Sequence, residues 1–240
     1  MSLGFALLAR LLRAVSDGGA LAGALIAFLL MWAAGLAGFL PLVAVFVLTL
    51  IATRWRGERK RSLGVAERGS GRRASQVLAN LGAAGICAGA AAVFPQHSDL
   101  LLVGSMAAMA EAAADTVSSE AGQAVVTRPR LIVGFHPVAI GTNGAISLEG
   151  TLAGCIAASV VAWTGTFFGV VPWITAPVIT VAAICGMLFD SVLGATLENG
   201  GRMGNDSVNF VSTVFAADVA LVAVVVLERA VRLTPLADLR

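Results

Sequence analysis

Long apolar runs separated by short polar stretches set the pattern of this chain. Residues 1–15 alternate apolar positions with Arg10 and Arg13, which predicts a short amphipathic helix lying in a membrane interface. After Asp17 come runs long enough to cross a bilayer: 17–35, 39–53, 77–94, 100–116, from Gly144 to 168, 173–198 and 205–227. The fold expected is all-α, a polytopic integral membrane bundle of about seven transmembrane helices with an N-terminal interfacial helix. Residues 1–240 form one membrane domain. Gly18, Gly19 and Gly23 sit where small residues let helices approach closely in lipid, and Asn80 reads as an interhelical hydrogen bond. Two polar stretches stand out as loops, a basic one at 54–75 and a second at 120–143.

Composition agrees with the pattern. The chain is 58% hydrophobic and 12% charged, whereas soluble domains are about 25% charged. A formal net charge of +2 is too small to argue for nucleic acid, and none is expected as a partner. Eight of the sixteen basic residues fall in 54–75. Most read as topology determinants, while Arg72 and Arg73, just ahead of the next helix, could instead meet a phosphate. With seven spans and a cytoplasmic N-terminus, thirteen of the sixteen basic residues face the cytoplasm, as the positive-inside rule expects. Arg229, Arg232 and Arg240 are the exceptions. No small-residue cleavage site follows the first apolar run, so it is expected to be retained. Cys87, Cys155 and Cys185 lack metal or disulfide spacing, His97 and His136 lack zinc spacing, and no GxxxxGK[ST] loop occurs.

Against this apolar background the acids are conspicuous, because a charge inside a bilayer costs about 2.5–3.5 kcal/mol on insertion scales. Glu111, Asp115, Ser118 or Ser119, and Gly122 share a helix face at the end of the fourth span, with Glu120 slightly round from them. Asp190, Gly194 and Glu198 repeat the spacing at the end of the sixth, next to Ser191. Gly141-Thr142-Asn143-Gly144 suits a tight turn whose amides would meet an anion at a helix N-terminus; it equally suits an ordinary N-cap. Asn209 and Ser212 share a face of the last span. Asn205-Asp206-Ser207 matches a glycosylation sequon, a three-residue match that carries little weight. Asp218 has no evident role. The topology brings Asp115, Glu120, the Gly141–Gly144 turn, Asp190, Glu198 and Asn209 to the cytoplasmic face. Hard oxygen ligands beside an anion turn suit Mg²⁺ and phosphates, the ingredients of phosphoryl transfer.

Four motifs occur in order: Asp115-Thr-Val-Ser-Ser119-Glu120, Gly141-Thr-Asn-Gly144, Asp190-Ser191-Val-Leu-Gly194-Ala-Thr196, and Val208-Asn209. Together, over about residues 15–228, the chain resembles the integral-membrane family that includes plant chloroplast phytyl-phosphate kinase and an animal transmembrane protein of unassigned role. The resemblance implies Mg²⁺-dependent phosphorylation of a membrane isoprenyl monophosphate to its diphosphate by a nucleoside triphosphate. CTP is the favoured donor, because related prenol kinases use it. Asp115, Glu120 and Asp190 would hold the metal and act as the catalytic carboxylates. Gly141, Thr142, Asn143 and Gly144 would cradle nucleotide phosphates with Asn209, and Arg128 or Arg130 would balance charge. Glu111, Ser119, Ser191 and Glu198 are further candidates. Val117 stands where the family commonly has tryptophan, and Glu198 where glutamine is expected. The pattern is compatible with an oligomer.

Two other classes compete. Intramembrane carboxylates and glycine-broken helices also suit a transporter or flippase for a phosphorylated lipid or an ion, although its acids would belong near the bilayer midplane. A structural or assembly protein would pair its acids with arginines, and no arginine lies inside a span.

Overall fold

The computed structural model describes residues 1–66 and 71–233; Arg68, Asp238 and Arg240 lie outside them. Eight helices follow one another: α1 (Ser2–Leu11), α2 (Asp17–Arg54), α3 (Gly57–Ser62), α4 (Ala74–Val93), α5 (Ser98–Val125), α6 (Leu148–Phe167), α7 (Ala176–Leu193) and α8 (Asn205–Leu233). Among the described residues, six helices are long and apolar enough to cross a membrane.

The two spans expected before residue 54 are a single element with a break in it. Ala34 and Gly35 leave the helical region, Gly35 at φ 60° and ψ −150°, a conformation that only glycine adopts freely. The chain doubles back there. A straight helix of 38 residues would separate its ends by about 57 Å. Instead Arg54 donates to Leu12 O at 2.5 Å, Arg10 pairs with Asp17, and a Cβ on Gly38 would stand 2.5 Å from Leu30 O. Helix α2 is therefore a hairpin whose two arms bring the number of apolar segments long enough to cross to seven among the described residues. Ser16 caps the first arm by accepting from Gly19 N at 3.2 Å. Helix α1 packs Phe5 edge-on between Phe39 and Phe46 of the second arm, ring centroids 5.1 Å away in each case.

Helix α5 is the axis of the bundle. Of its most apolar stretch, 78% is buried, against half or less in every other spanning helix among the described residues. Ala107, Ala108, Ala110, Ala113 and Ala114 are inaccessible to solvent. Such small residues let backbones approach where no hydrophobic drive exists between helices in lipid. The helix runs on to Val125, so residues 120–125, expected in a loop, are helical. The basic stretch after α2 explains this extension. Arg59 Nη2 donates to Val126 O at 3.0 Å and Arg56 Nη1 to Ala124 O at 3.5 Å, placing cations on the carbonyls that end α5.

Candidate functional site

Where α5 emerges, polar side chains from distant parts of the chain surround a cavity of about 310 Å³. Its acids are Asp115 and Glu120 from α5, and Asp190 and Glu198 from α7 and the turn that follows it. The Gly141–Gly144 turn forms one wall, and Asn209 of α8 another. Ser119 and Ser191 also line it. Glu111 lies one turn deeper, 1% exposed, with Oε1 lacking a hydrogen-bond partner. Arg128 and Arg130 do not line the cavity: both are exposed, and Arg130 donates to Phe135 O at 2.7 Å. The cavity's arginine is Arg72, whose Nη2 stands 3.4 Å from Thr116 Oγ1. Its place just before α4 was the sequence signal for it.

Local structure explains how each wall is held. After Leu193 the chain of α7 widens into a π-helical turn, Gly194–Glu198, closed by Asn199 N to Gly194 O at 3.1 Å. Single π turns recur at functional sites; this one begins one turn after Asp190 and ends at Glu198. Gly144 has φ +74°, and a Cβ there would collide with Ser191 O and stand 2.5 Å from Ala195 N. The glycine thus lets the loop lie directly against the π turn, where Asn199 Nδ2 donates to Asn143 O at 3.0 Å. Gly144→Ala is expected to destabilise the fold by about 2–4 kcal/mol, from the left-handed backbone and the overpacking together. A thermal unfolding scan in detergent checks this, and an unchanged midpoint would refute the interlocked wall.

The turn is not at a helix N-terminus, as the sequence suggested. A two-residue strand β2 (Ala145–Ile146), paired antiparallel with β1 (Arg130–Leu131), intervenes before α6. The cap of α6 is Ser147, whose Oγ accepts from Gly150 N at 3.1 Å. The strand pair takes the backbone groups that a helix start would have presented, and leaves the turn to line the cavity.

Two of the acids have partners invisible in the sequence. Ser212 Oγ donates to Asp190 Oδ2 at 3.0 Å. Lys60 Nζ meets Glu120 Oε2 at 2.5 Å, and the lysine, 1% exposed, also donates to Ala52 O at 2.9 Å and Thr53 O at 2.7 Å. The lone lysine is therefore a buried tie between the end of α2 and the rim of the cavity. Among the described residues no three acidic, histidine or cysteine side chains gather closely enough to cage a metal by themselves. That donor set still fits Mg²⁺, which is commonly held by one or two carboxylates and completes its shell with water and substrate phosphate.

Comparison with known proteins places the chain in a family. The chain is 35% identical over 196 residues to "Uncharacterized membrane protein sll0875" of Synechocystis, covering 80% of this chain and 76% of that one. It is 35% identical over 222 residues to "Protein VTE6, chloroplastic" of Arabidopsis thaliana, covering 88% of this chain and 66% of that one. With "Uncharacterized membrane protein MJ0933" of Methanocaldococcus jannaschii it shares 32% identity over 210 residues, 87% of this chain and 85% of that one. No solved structure matches. Residues 1–217 match the family described as "Integral membrane protein DUF92", and the chain belongs to that integral membrane family.

Proposed function

We propose that the protein is an isoprenyl-phosphate kinase, passing the terminal phosphate of a nucleoside triphosphate to a membrane isoprenyl monophosphate. The observation that carries this reading is the acid-lined cavity at the end of the apolar helices, with an arginine and a glycine-rich turn in its wall. Similarity to VTE6, with the four ordered motifs, supports a phytyl-phosphate kinase-like membrane protein. The proposed acceptor is phytyl-like and the proposed donor CTP, with the cavity on the cytoplasmic side, where nucleotide is available.

In the proposed step an oxygen of the acceptor monophosphate attacks the donor's terminal phosphorus. The bond from that phosphorus to the bridging oxygen breaks, and the nucleoside diphosphate leaves with the electron pair. No proton need move if the acceptor enters as its dianion. Asp115 and Asp190 would hold Mg²⁺ with Glu198 in support; bound there, the ion would neutralise charge on the phosphate oxygens. Glu120, one oxygen of which meets Lys60, would join Asp115 and Asp190 through the other. Arg72 would neutralise charge on the transferred group, in place of Arg128 and Arg130. Thr142 and Asn143 would meet the donor phosphates from the turn.

The test is transfer in detergent from radiolabelled CTP or ATP, with Mg²⁺, to phytyl and geranylgeranyl monophosphate. Labelled diphosphate is the expected product. Folded protein that labels neither lipid from either nucleotide would overturn the proposal.

A further inference from the structure

A second cavity, of about 480 Å³, lies beside the first and has the opposite chemistry. Its inner wall is apolar, built from Leu42, Val45, Phe46 and Leu50 of the second arm of α2 and from Val77 and Leu81 of α4. Arg13, Arg54, Arg61 and Arg72 also line it. No acid does, among the described residues, whereas the first cavity is lined by four acids and a single arginine, Arg72. Arg72 and Asn80 belong to both walls.

From Leu42 to Thr53 the arm carries the cavity through about 16 Å of depth. That is a slot for a chain, with cations at the end where α2 terminates. Arg13, Arg54 and Arg61 are all exposed. Arg72, by contrast, is fixed by its backbone on both sides: Arg72 N donates to Ala14 O and Ser16 N to Arg72 O, each at 3.0 Å. Gly19 keeps that contact open, since a Cβ there would collide with Arg72 O. A guanidinium held between an acidic chamber and a cationic, apolar one is placed to touch phosphates entering from both.

We infer that the second cavity is the binding site of the lipid acceptor, an isoprenoid chain bearing a monophosphate. The chain lies along Leu42, Val45, Phe46 and Leu50, and the phosphate meets Arg13, Arg54 and Arg61 with Arg72 behind it. The inference rests on the proposed kinase reading for the nature of the ligand. Its geometric part, an apolar slot ending in arginines, stands on the cavity alone. A neutral lipid would leave the cations unmatched, and free phosphate would leave the slot empty. An amphiphile with both parts matches both.

The test is photolabelling of the full-length protein in detergent with a diazirine analogue of geranylgeranyl monophosphate. Binding of unmodified geranylgeranyl monophosphate, geranylgeraniol and inorganic phosphate is measured alongside. Label is expected on the peptide spanning residues 42–50, competed by the lipid monophosphate and by neither the alcohol nor phosphate. Arg13→Gln and Arg61→Gln, exposed changes that leave the packing alone, should each weaken lipid monophosphate binding about tenfold, the scale of a charge-assisted contact. Competition by the alcohol alone would make the slot a general lipid site and overturn the inference. So would label elsewhere, or binding indifferent to both substitutions.

The kinase reading fails separately. If the wild type binds the lipid monophosphate in this slot but transfers no phosphate, the function is wrong and the site stands. If it makes diphosphate while the slot stays unlabelled, the site is wrong and the function stands.

Discussion

Asp190→Asn is expected to reduce phosphate transfer at least about a hundredfold, the scale on which removal of one electrostatic group from a preorganised site is felt. The change keeps the side chain's shape, and an amide oxygen can still accept from Ser212 Oγ, which lies 3.0 Å from Asp190 Oδ2. What disappears is the negative charge that would hold a divalent cation. Asp115→Asn should produce a comparable loss from the facing side of the cavity. If the two carboxylates share one ion, the double variant should be little worse than either single one, because residues acting as a unit are not additive. Transfer assays on all three, with gel filtration to confirm that each is monodisperse, decide the matter. Wild-type rates from folded single variants would remove both residues from the chemistry.

A large effect on stability is also expected at Lys60. Lys60→Met removes the ammonium that meets Glu120 Oε2 at 2.5 Å and the two carbonyls ending α2. Removing one partner of a buried pair costs about 3–5 kcal/mol, since the other is left without its counter-charge. Glu120 retains 14% side-chain exposure, which puts the expected loss at the lower end of that range. Lys60→Met combined with Glu120→Gln should recover part of it, a non-additivity that a double-mutant cycle in detergent would read. Unfolding midpoints that simply add would mean that the tie between α2 and α5 carries no weight.

The apolar runs make the spanning helices legible, with ends within a few residues for α4 and α6, while α8 starts at Asn205 as expected and runs on to Leu233, six residues past the expected end. The break at Ala34-Gly35 was legible as a gap between two spans, but not as a reversal. Nothing in a run of apolar residues tells a connecting turn from a kink. Helix α5 was cut short at Thr116 because its polar continuation resembles a loop; the arginines that satisfy its last carbonyls come from residues 56 and 59, far away in sequence. The carboxylates could be read because acids in an apolar chain are expensive. Arg128 and Arg130 drew attention by proximity in sequence to the Gly-Thr-Asn-Gly turn, yet the β1–β2 pairing turns that segment so that they lie outside the cavity. Arg72 reaches it from the other side through a backbone bridge to Val15, a contact that no local pattern encodes. Lys60 stands among seven arginines as the lone lysine, but its burial is a property that only the folded chain reveals.

The doubled-back helix α2 also bears on how the chain enters a membrane. From Gly18 to Leu48 there is no charged residue and no hydroxyl or amide side chain, so reversing direction at Gly35 requires no hydrophilic loop to be carried across. Both ends of the hairpin stay on the side where the arginines are retained. The two arms can therefore be inserted together, as a preassembled pair, with no obligatory stage at which one arm spans alone. The N-terminal 54 residues then form a pre-laid wall, and the later helices complete the arginine-lined second chamber against it.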